Sequence, residues 1–319
     1  MQEARDILIQ TYQAIHGDKF TMTNLNQIDL TDQFIELVRQ AATNLPRDME
    51  NALSKAKENE DHGSAADGAL GTILLNVNTA REHSTPICQD TGTPIFEVYY
   101  PLGVSTRALA DQIRQAVSVS TENSYLRPNA VDSLTGKNSG NNVGEDFPTI
   151  HFHEWDENQI HVDLLLKGGG CENVSTQYKL PDGNLGAGRD LEGVRRVVLD
   201  AVHQAQGRGC GPAVLGVAIG GDRGSSYLKS KQQLFRELED ENENEELAAL
   251  ENQIYEEANE LGIGPMGFGG KTTVLGVKIG AQHRLPASYF VSVAYMCWAN
   301  RRAHMDVSIE NGALEVNYA

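Results

Sequence analysis

Four segments of this 319-residue chain combine glycine, cysteine and charge and carry little amphipathic pattern. They are Pro86-Ile-Cys-Gln-Asp-Thr-Gly92, Lys167-Gly-Gly-Gly-Cys-Glu-Asn-Val-Ser175, Gly207-Arg-Gly-Cys-Gly-Pro212 and Gly262-Ile-Gly-Pro-Met-Gly-Phe-Gly-Gly-Lys-Thr272. Glycine costs backbone entropy on folding, so such clusters persist where the backbone must approach a ligand or turn sharply. Three of the segments hold a cysteine, Cys88, Cys171 and Cys210, and a fourth, Cys297, follows the apolar run 289–296. None forms a Cys-x-x-Cys pair, so thioredoxin-like and zinc-ribbon spacings do not fit. Dispersed cysteines at strand ends and loops are compatible with convergence on one metal or cluster. They are also compatible with small buried hydrophobes, a reading that explains Cys88 and Cys210 less well.

Two other motifs fail on inspection. Residues 262–272 resemble a phosphate loop, but the Gly-x-x-x-x-Gly-Lys-Thr pattern needs glycine at Pro265 and a preceding strand, whereas an acidic helix precedes it. His151 and His153 share one face of a strand as His-x-His, and a partly exposed strand face accounts for them without a metal.

The elements that must position these loops follow from periodicity. Helices are expected over residues 4–15, then from Thr31 as a cap with the stripe Phe34, Ile35, Leu37 and Val38, then over 47–60 after Pro46, and over 64–75. Strand signals cover 94–100, 149–155 and 160–167, the last two read as a pair, with an amphipathic helix over 107–119. A helix at 191–206 leads to the apolar strand 213–219, helices at 228–238 and 245–261, and buried strands at 273–279 and 289–296. Asn311-Gly312 between 307–309 and 314–316 is a type I′ hairpin signal. The fold class is therefore mixed α/β (α+β), a helical N-terminal part followed by irregular β-sheets flanked by helices.

Composition restricts the partners. With 26 Lys+Arg against 44 Asp+Glu the chain carries −18, which opposes nucleic acid and anionic membrane surfaces. Eleven of the acids lie in 237–260 without one Lys or Arg, and read as a solvated face. There is no secretory signal pattern at the start and no apolar run of about 18 residues, so the expectation is a cytoplasmic protein.

The motifs together resemble the class I, iron–sulfur fumarate hydratases. Cys88-Gln-Asp-Thr-Gly92 is similar to that family's CQDTG element. Leu126-Arg-Pro-Asn-Ala-Val131, Lys167-Gly-Gly-Gly170, Gly216-Val-Ala-Ile-Gly-Gly221, residues 262–271, Pro286-Ala-Ser288 and Ala294-Tyr-Met-Cys-Trp298 follow in order. The L-tartrate dehydratase α subunits share the pattern. The resemblance implies a [4Fe-4S] cluster on Cys88, Cys210 and Cys297, with the fourth iron open as a Lewis acid for a substrate carboxylate and hydroxyl. It implies Gln89 and Asp90 at the substrate, Asp90 as acid/base, and Arg127 as a carboxylate fork. Backbone amides at Gly169 and Gly170 would donate to the other carboxylate, with His283 as a substrate contact and Lys271 as a charge partner. Cys171 is read as a non-ligand.

By the same resemblance, residues 1–319 form one α-type catalytic domain, and a separate β chain supplies further contacts and a catalytic base in a hetero-oligomer. The implied activity is reversible hydration of fumarate to L-malate, with a dicarboxylate as the substrate. L-Tartrate dehydration to oxaloacetate is the alternative. A non-catalytic iron–sulfur sensor would need the cysteines but not Asp90, Arg127 and the glycine loops.

Overall fold

The computed structural model describes residues 28–310 and 313–318. The helix expected over 4–15 and the Asn311-Gly312 turn lie outside the described residues. Three helices come first: α1 (Thr31–Thr43), α2 (Arg47–Asn59) and α3 (Ala65–His83). Thr31 opens α1 rather than capping it, because its amide donates to the Asp29 carboxylate at 2.9 Å. α3 starts at its Ser64 cap and runs eight residues past the expected end at 75, since Val77 and Ala80 continue its buried stripe.

Strand β1 (Thr93–Pro101) and helix α4 (Thr106–Glu122) lead to β2 (Thr149–Trp155) and β3 (Ile160–Lys167). The last two have the expected bounds but do not pair with each other. β1 lies between them, parallel to β2 and antiparallel to β3. With β8 (Arg302–Glu310) and β9 (Ala313–Tyr318) they make a five-stranded sheet in the order β2-β1-β3-β8-β9. Its apolar face, Phe96, Val98, Val162, Leu164, Met305 and Val307, packs on Phe34, Leu37, Ile113 and Val117 of α1 and α4.

The opposite face of this sheet is polar apart from Ile95 and Leu165 at one end. His161 is held there between two carboxylates, Nδ1 to Asp306 at 2.7 Å and Nε2 to Asp163 at 3.2 Å. The hydrogen bond to Asp163 is the main cause that lifts the imidazolium from its ordinary 6.5 to about 9. A raised folded-state value stabilises the fold fully below about 6.5, and this contribution declines as pH climbs toward about 9 and is lost above it. His161→Gln should therefore flatten the fall in melting temperature across that window, which thermal unfolding at both ends of it measures. An unchanged pH slope would dismiss the ion pairs as a source of stability.

A short helix α5 (Gly169–Val174) and strand β4 (Thr176–Lys179) follow, neither signalled by periodicity. Then come α6 (Leu191–Ala205), β5 (Ala213–Ile219), α7 (Arg223–Gln232), α8 (Glu245–Glu260), β6 (Val274–Ala281) and β7 (Phe290–Met296). α7 begins five residues before the expected 228, because Asp222 forms a capping box with Ser225. The second sheet has the order β4-β7-β5-β6, with β5 and β6 parallel and β7 antiparallel to β5. One face packs on Val194, Val197 and Val198 of α6 and on Leu250 and Ile254 of α8.

A third apolar core joins the two sheets. It gathers Met49, Leu53, Leu70 and Ile73 from α2 and α3, Leu165 from β3, and Val214, Ala294 and Met296 from the second sheet. Cys171 and Cys297 belong to it. The acidic segment is not wholly a solvated face. Glu251 is buried and accepts from Ile279 N at 2.6 Å and Arg236 at 2.9 Å, and Asp240 pairs with Arg236 and Lys278. Among the described residues, no helix is long and apolar enough to cross a membrane.

Candidate active site

The four glycine-rich loops meet along one edge of the junction between the sheets. Cys210 stands just before β5 and Cys297 just after β7. Because β7 runs antiparallel to β5, with Met296 opposite Val214, the two cysteines come to the same end of the sheet. Trp298 N donates to Cys210 O at 3.3 Å. Cys210 has a left-handed backbone (φ 54°), and the preceding Gly209 leaves no room for a side chain, since a Cβ there would lie 2.2 Å from the Tyr295 ring.

Cys88 arrives from the other sheet. The loop between α3 and β1 is tied down by Asn76 Nδ2 to Ile87 O at 2.8 Å and Ile87 N to Ala42 O at 2.9 Å. Gly92 ends it with φ +79°, and a Cβ there would stand 2.7 Å from the Lys167 carbonyl, so only glycine lets β1 lie this close to the triple-glycine loop. The Asp90 carboxylate bridges the two loops, accepting from Gly92 N at 3.2 Å and Gly170 N at 3.3 Å. The Gly170 amide is therefore engaged with Asp90, and the exposed Gly169 precedes it. Arg127 donates through Nη1 to Gln89 O at 3.2 Å, using one of its five N–H groups. Its own amide bonds Thr91 Oγ1 at 3.0 Å, and buried Asn142 accepts from Asn129 N and donates to Arg127 O, fixing this loop.

The thiols sense one another. Partial desolvation pushes the Cys210 thiol up, and the neighbouring Cys171, Cys88 and Asp90 charges push it further. The hydrogen bond with Cys171 is the main cause that raises the buried Cys297. The same contact draws the Cys171 thiol down to about 7, assisted by Lys167. Its Sγ accepts from Cys297 N at 3.2 Å. The four thiols thus lie near enough to influence one another, a proximity compatible with a thiolate-ligated metal group.

Among the described residues no three His, Cys, Asp or Glu side chains are spaced to hold a single ion. A cubane differs in taking one thiolate per iron, so its ligands stand wider apart. The convergence of the Cys88, Cys210 and Cys297 loops fits such a group, and so does the fully buried Arg301, whose Nε and Nη1 have no hydrogen-bond partner. Arg301 was not singled out by sequence. Its signal, an Arg-Arg pair directly after an apolar strand and Cys297, is visible in retrospect.

Two expected residues do not join the thiols as foreseen. The His283 carbonyl accepts from Gly221 N beyond the C-terminal end of β5, whereas Cys210 precedes its N-terminal end. At ~3.3 Å per residue, β5 separates them by roughly 20 Å. Strand direction is the reason: residues after β6 and before β7 emerge at the far end. Lys271 is at the near end, but its ammonium bonds Asn59 O at 3.0 Å and Asp61 at 2.6 Å, while its amide and that of Thr272 bond the buried Glu60. Its role here is to fasten the fourth loop to α2. That loop in turn reaches Gly211 O through Met266 N at 2.9 Å.

A family model described as fumarate hydratase (fumerase) matches residues 31–306. The chain belongs to the class I fumarate hydratase family. A Geobacillus stearothermophilus protein named "Putative fumarate hydratase class I" is 49% identical over 288 residues, covering 89% of this chain and 56% of that protein. A Methanocaldococcus jannaschii protein named "Putative L(+)-tartrate dehydratase subunit alpha" is 35% identical over 88% of this chain and 98% of its own length. The L(+)-tartrate dehydratase subunit alpha of Escherichia coli K12 is 29% identical over 88% and 93%. The chain thus spans little more than half of the first relative and nearly all of the other two.

Cys171 is predicted to be dispensable as a ligand. Serine keeps an acceptor for Cys297 N and fits the same space, so Cys171→Ser should leave the iron and sulfide content of the reconstituted family member unchanged. Loss of a full cluster equivalent would show that the ligand set includes Cys171.

Proposed function

We propose that this chain is the α-type catalytic unit of an iron–sulfur hydro-lyase that interconverts fumarate and L-malate. The convergence of the Cys88, Cys210 and Cys297 loops around the Asp90 carboxylate carries this reading, in a chain whose family is fumarate hydratase. Cys88, Cys210 and Cys297 would hold a [4Fe-4S] cluster as thiolates. When bound, that group supplies a Lewis-acidic iron for the substrate hydroxyl and its adjacent carboxylate.

The chain's own residues do the rest. Arg127 offers a planar fork to a carboxylate from a loop braced by Thr91 and Asn142. Gly169 presents backbone to the substrate beside Asp90. Asp90 holds or releases a proton at its carboxyl, and Gln89 hydrogen-bonds the substrate beside it. Gly169, Gly170, Gln89, Arg127 and Cys210 are all exposed, so the mouth of the site is open to water. A dehydration site works best closed, and a separate β chain that covers this mouth and brings a base is part of the proposal. The near-full coverage of two relatives named subunit alpha supports it.

The same coverage favours a second reading, L-tartrate dehydration. The higher identity to the fumarate hydratase relative favours malate. Anaerobic reconstitution with a co-expressed β-type chain, assayed on malate and L-tartrate, separates them. Higher kcat/KM on malate is expected, and preference for tartrate would replace the substrate. Full turnover without a second chain would refute the split site. No turnover with any partner would refute the hydro-lyase.

A further inference from the structure

Among the described residues, Arg301 is the largest fully buried side chain, at 1% exposure. One nitrogen is occupied: Nη2 donates to Asp90 O at 2.7 Å and Leu166 O at 3.4 Å. The other two, Nε and Nη1, are buried without a hydrogen-bond partner. Its charge acts on Cys171 and Cys297. A buried guanidinium with open donors and no anion is strongly unfavourable. Lys167, the other buried cation of this region, is not in that position, since Glu172 stands at 3.0 Å.

We infer that Arg301 is a positioning residue whose Nε–H and Nη1–H are reserved for the sulfur of the iron–sulfur group held by Cys88, Cys210 and Cys297. The inference rests on the cluster reading above. Three thiolates outweigh the charge of the cubane core, so the assembly is anionic and satisfies the guanidinium that the protein alone leaves unpaired. The third nitrogen ties the same guanidinium to the Asp90 backbone. Arg301 thereby sets the distance between the bound group and the acid/base loop, and its positive charge makes the group easier to reduce.

The test uses the full chain, labelled with 15N-arginine and reconstituted anaerobically. Electron spin-echo spectra of the reduced cluster should show an arginine 15N coupling, and Arg301→Lys should abolish it while iron and sulfide stay at wild-type content. In a redox titration, Arg301→Gln should shift the midpoint potential to more negative values and Arg301→Lys should restore most of it. If Arg301→Gln fails to fold, the labelled lysine variant still decides the question. A coupling that persists in Arg301→Lys, or no coupling in the loaded wild type, overturns the inference and leaves the cluster intact. A wild-type chain that takes up no iron and sulfide overturns the cluster reading itself.

Discussion

Replacing Cys88, Cys210 or Cys297 with serine should in each case strip most of the iron and sulfide from the reconstituted chain and lower turnover by more than ~100-fold. Changes to groups that only support a metal ligand already cost about 10–100-fold, and loss of a ligand costs more. Serine preserves size, and its hydroxyl does not ionise near neutral pH as a metal-adjacent thiol does. The effect should not come from unfolding. Cys210 is exposed and lies in a left-handed turn shaped by Gly209, so its replacement by serine disturbs little packing. Cys297 is buried in the core that joins the sheets, where serine costs more stability. The three variants should therefore lose the cluster alike but differ in melting temperature, with Cys297→Ser the lowest. Iron and sulfide assays beside thermal unfolding of the apo chains check both parts. Any one of the three that keeps a full cluster is not a ligand.

Asp90→Asn should separate chemistry from assembly. The amide has the shape of the carboxylate, so the Cys88 loop should still form and bind its cluster. It has no carboxyl proton to exchange, and loss of a general acid/base costs about 10²–10⁴ in kcat. One of the two backbone donors, Gly92 N or Gly170 N, would then face an NH2 group instead of an oxygen. An unsatisfied donor of this kind costs ~1–3 kcal/mol if it stays buried, and the exposure of Gly170 reduces that cost. The expected variant is slightly less stable, loaded to wild-type content, and nearly inactive with KM little changed. If cluster content falls together with kcat, Asp90 acts by holding the loops in place. A kcat within a few-fold of wild type would place the acid/base on another residue.

Much of this molecule could be read from spacing. The continuous apolar runs of β5, β6 and β7 announced buried strands, and the amphipathic stripes of α1, α4 and α6 announced the helices that cover the sheets. Strand pairing was less legible. β2 and β3 follow one another with a short connection, yet β1 inserts between them. The apolar pattern on Phe96 and Val98 is satisfied by either arrangement, because pattern fixes a face and not a neighbour.

The same limit explains the site. Cys210 and Cys297 are 87 positions apart and meet only because β7 returns antiparallel to β5. That direction carries His283 to the opposite end. Lys271 read as an available charge because the local sequence shows no partner, and Asp61 is supplied from the end of α2. The acidic run 237–260 looked uniformly solvated for a similar reason. Its partners, Arg195, Arg236 and Lys278, come from outside or from the edge of the run. Arg301 escaped notice because a charge after an apolar strand reads as a surface residue until its burial is known.

In the proposed site Cys88, Cys210 and Cys297 would hold a [4Fe-4S] cluster with one iron open to substrate. Mössbauer spectroscopy of the anaerobically reconstituted chain, with its co-expressed β-type partner, tests it before and after addition of malate. About four iron and four sulfide per chain are expected, with roughly one iron in four changing its signal when malate binds. Absence of acid-labile sulfide, or a spectrum that malate leaves unchanged, would contradict it.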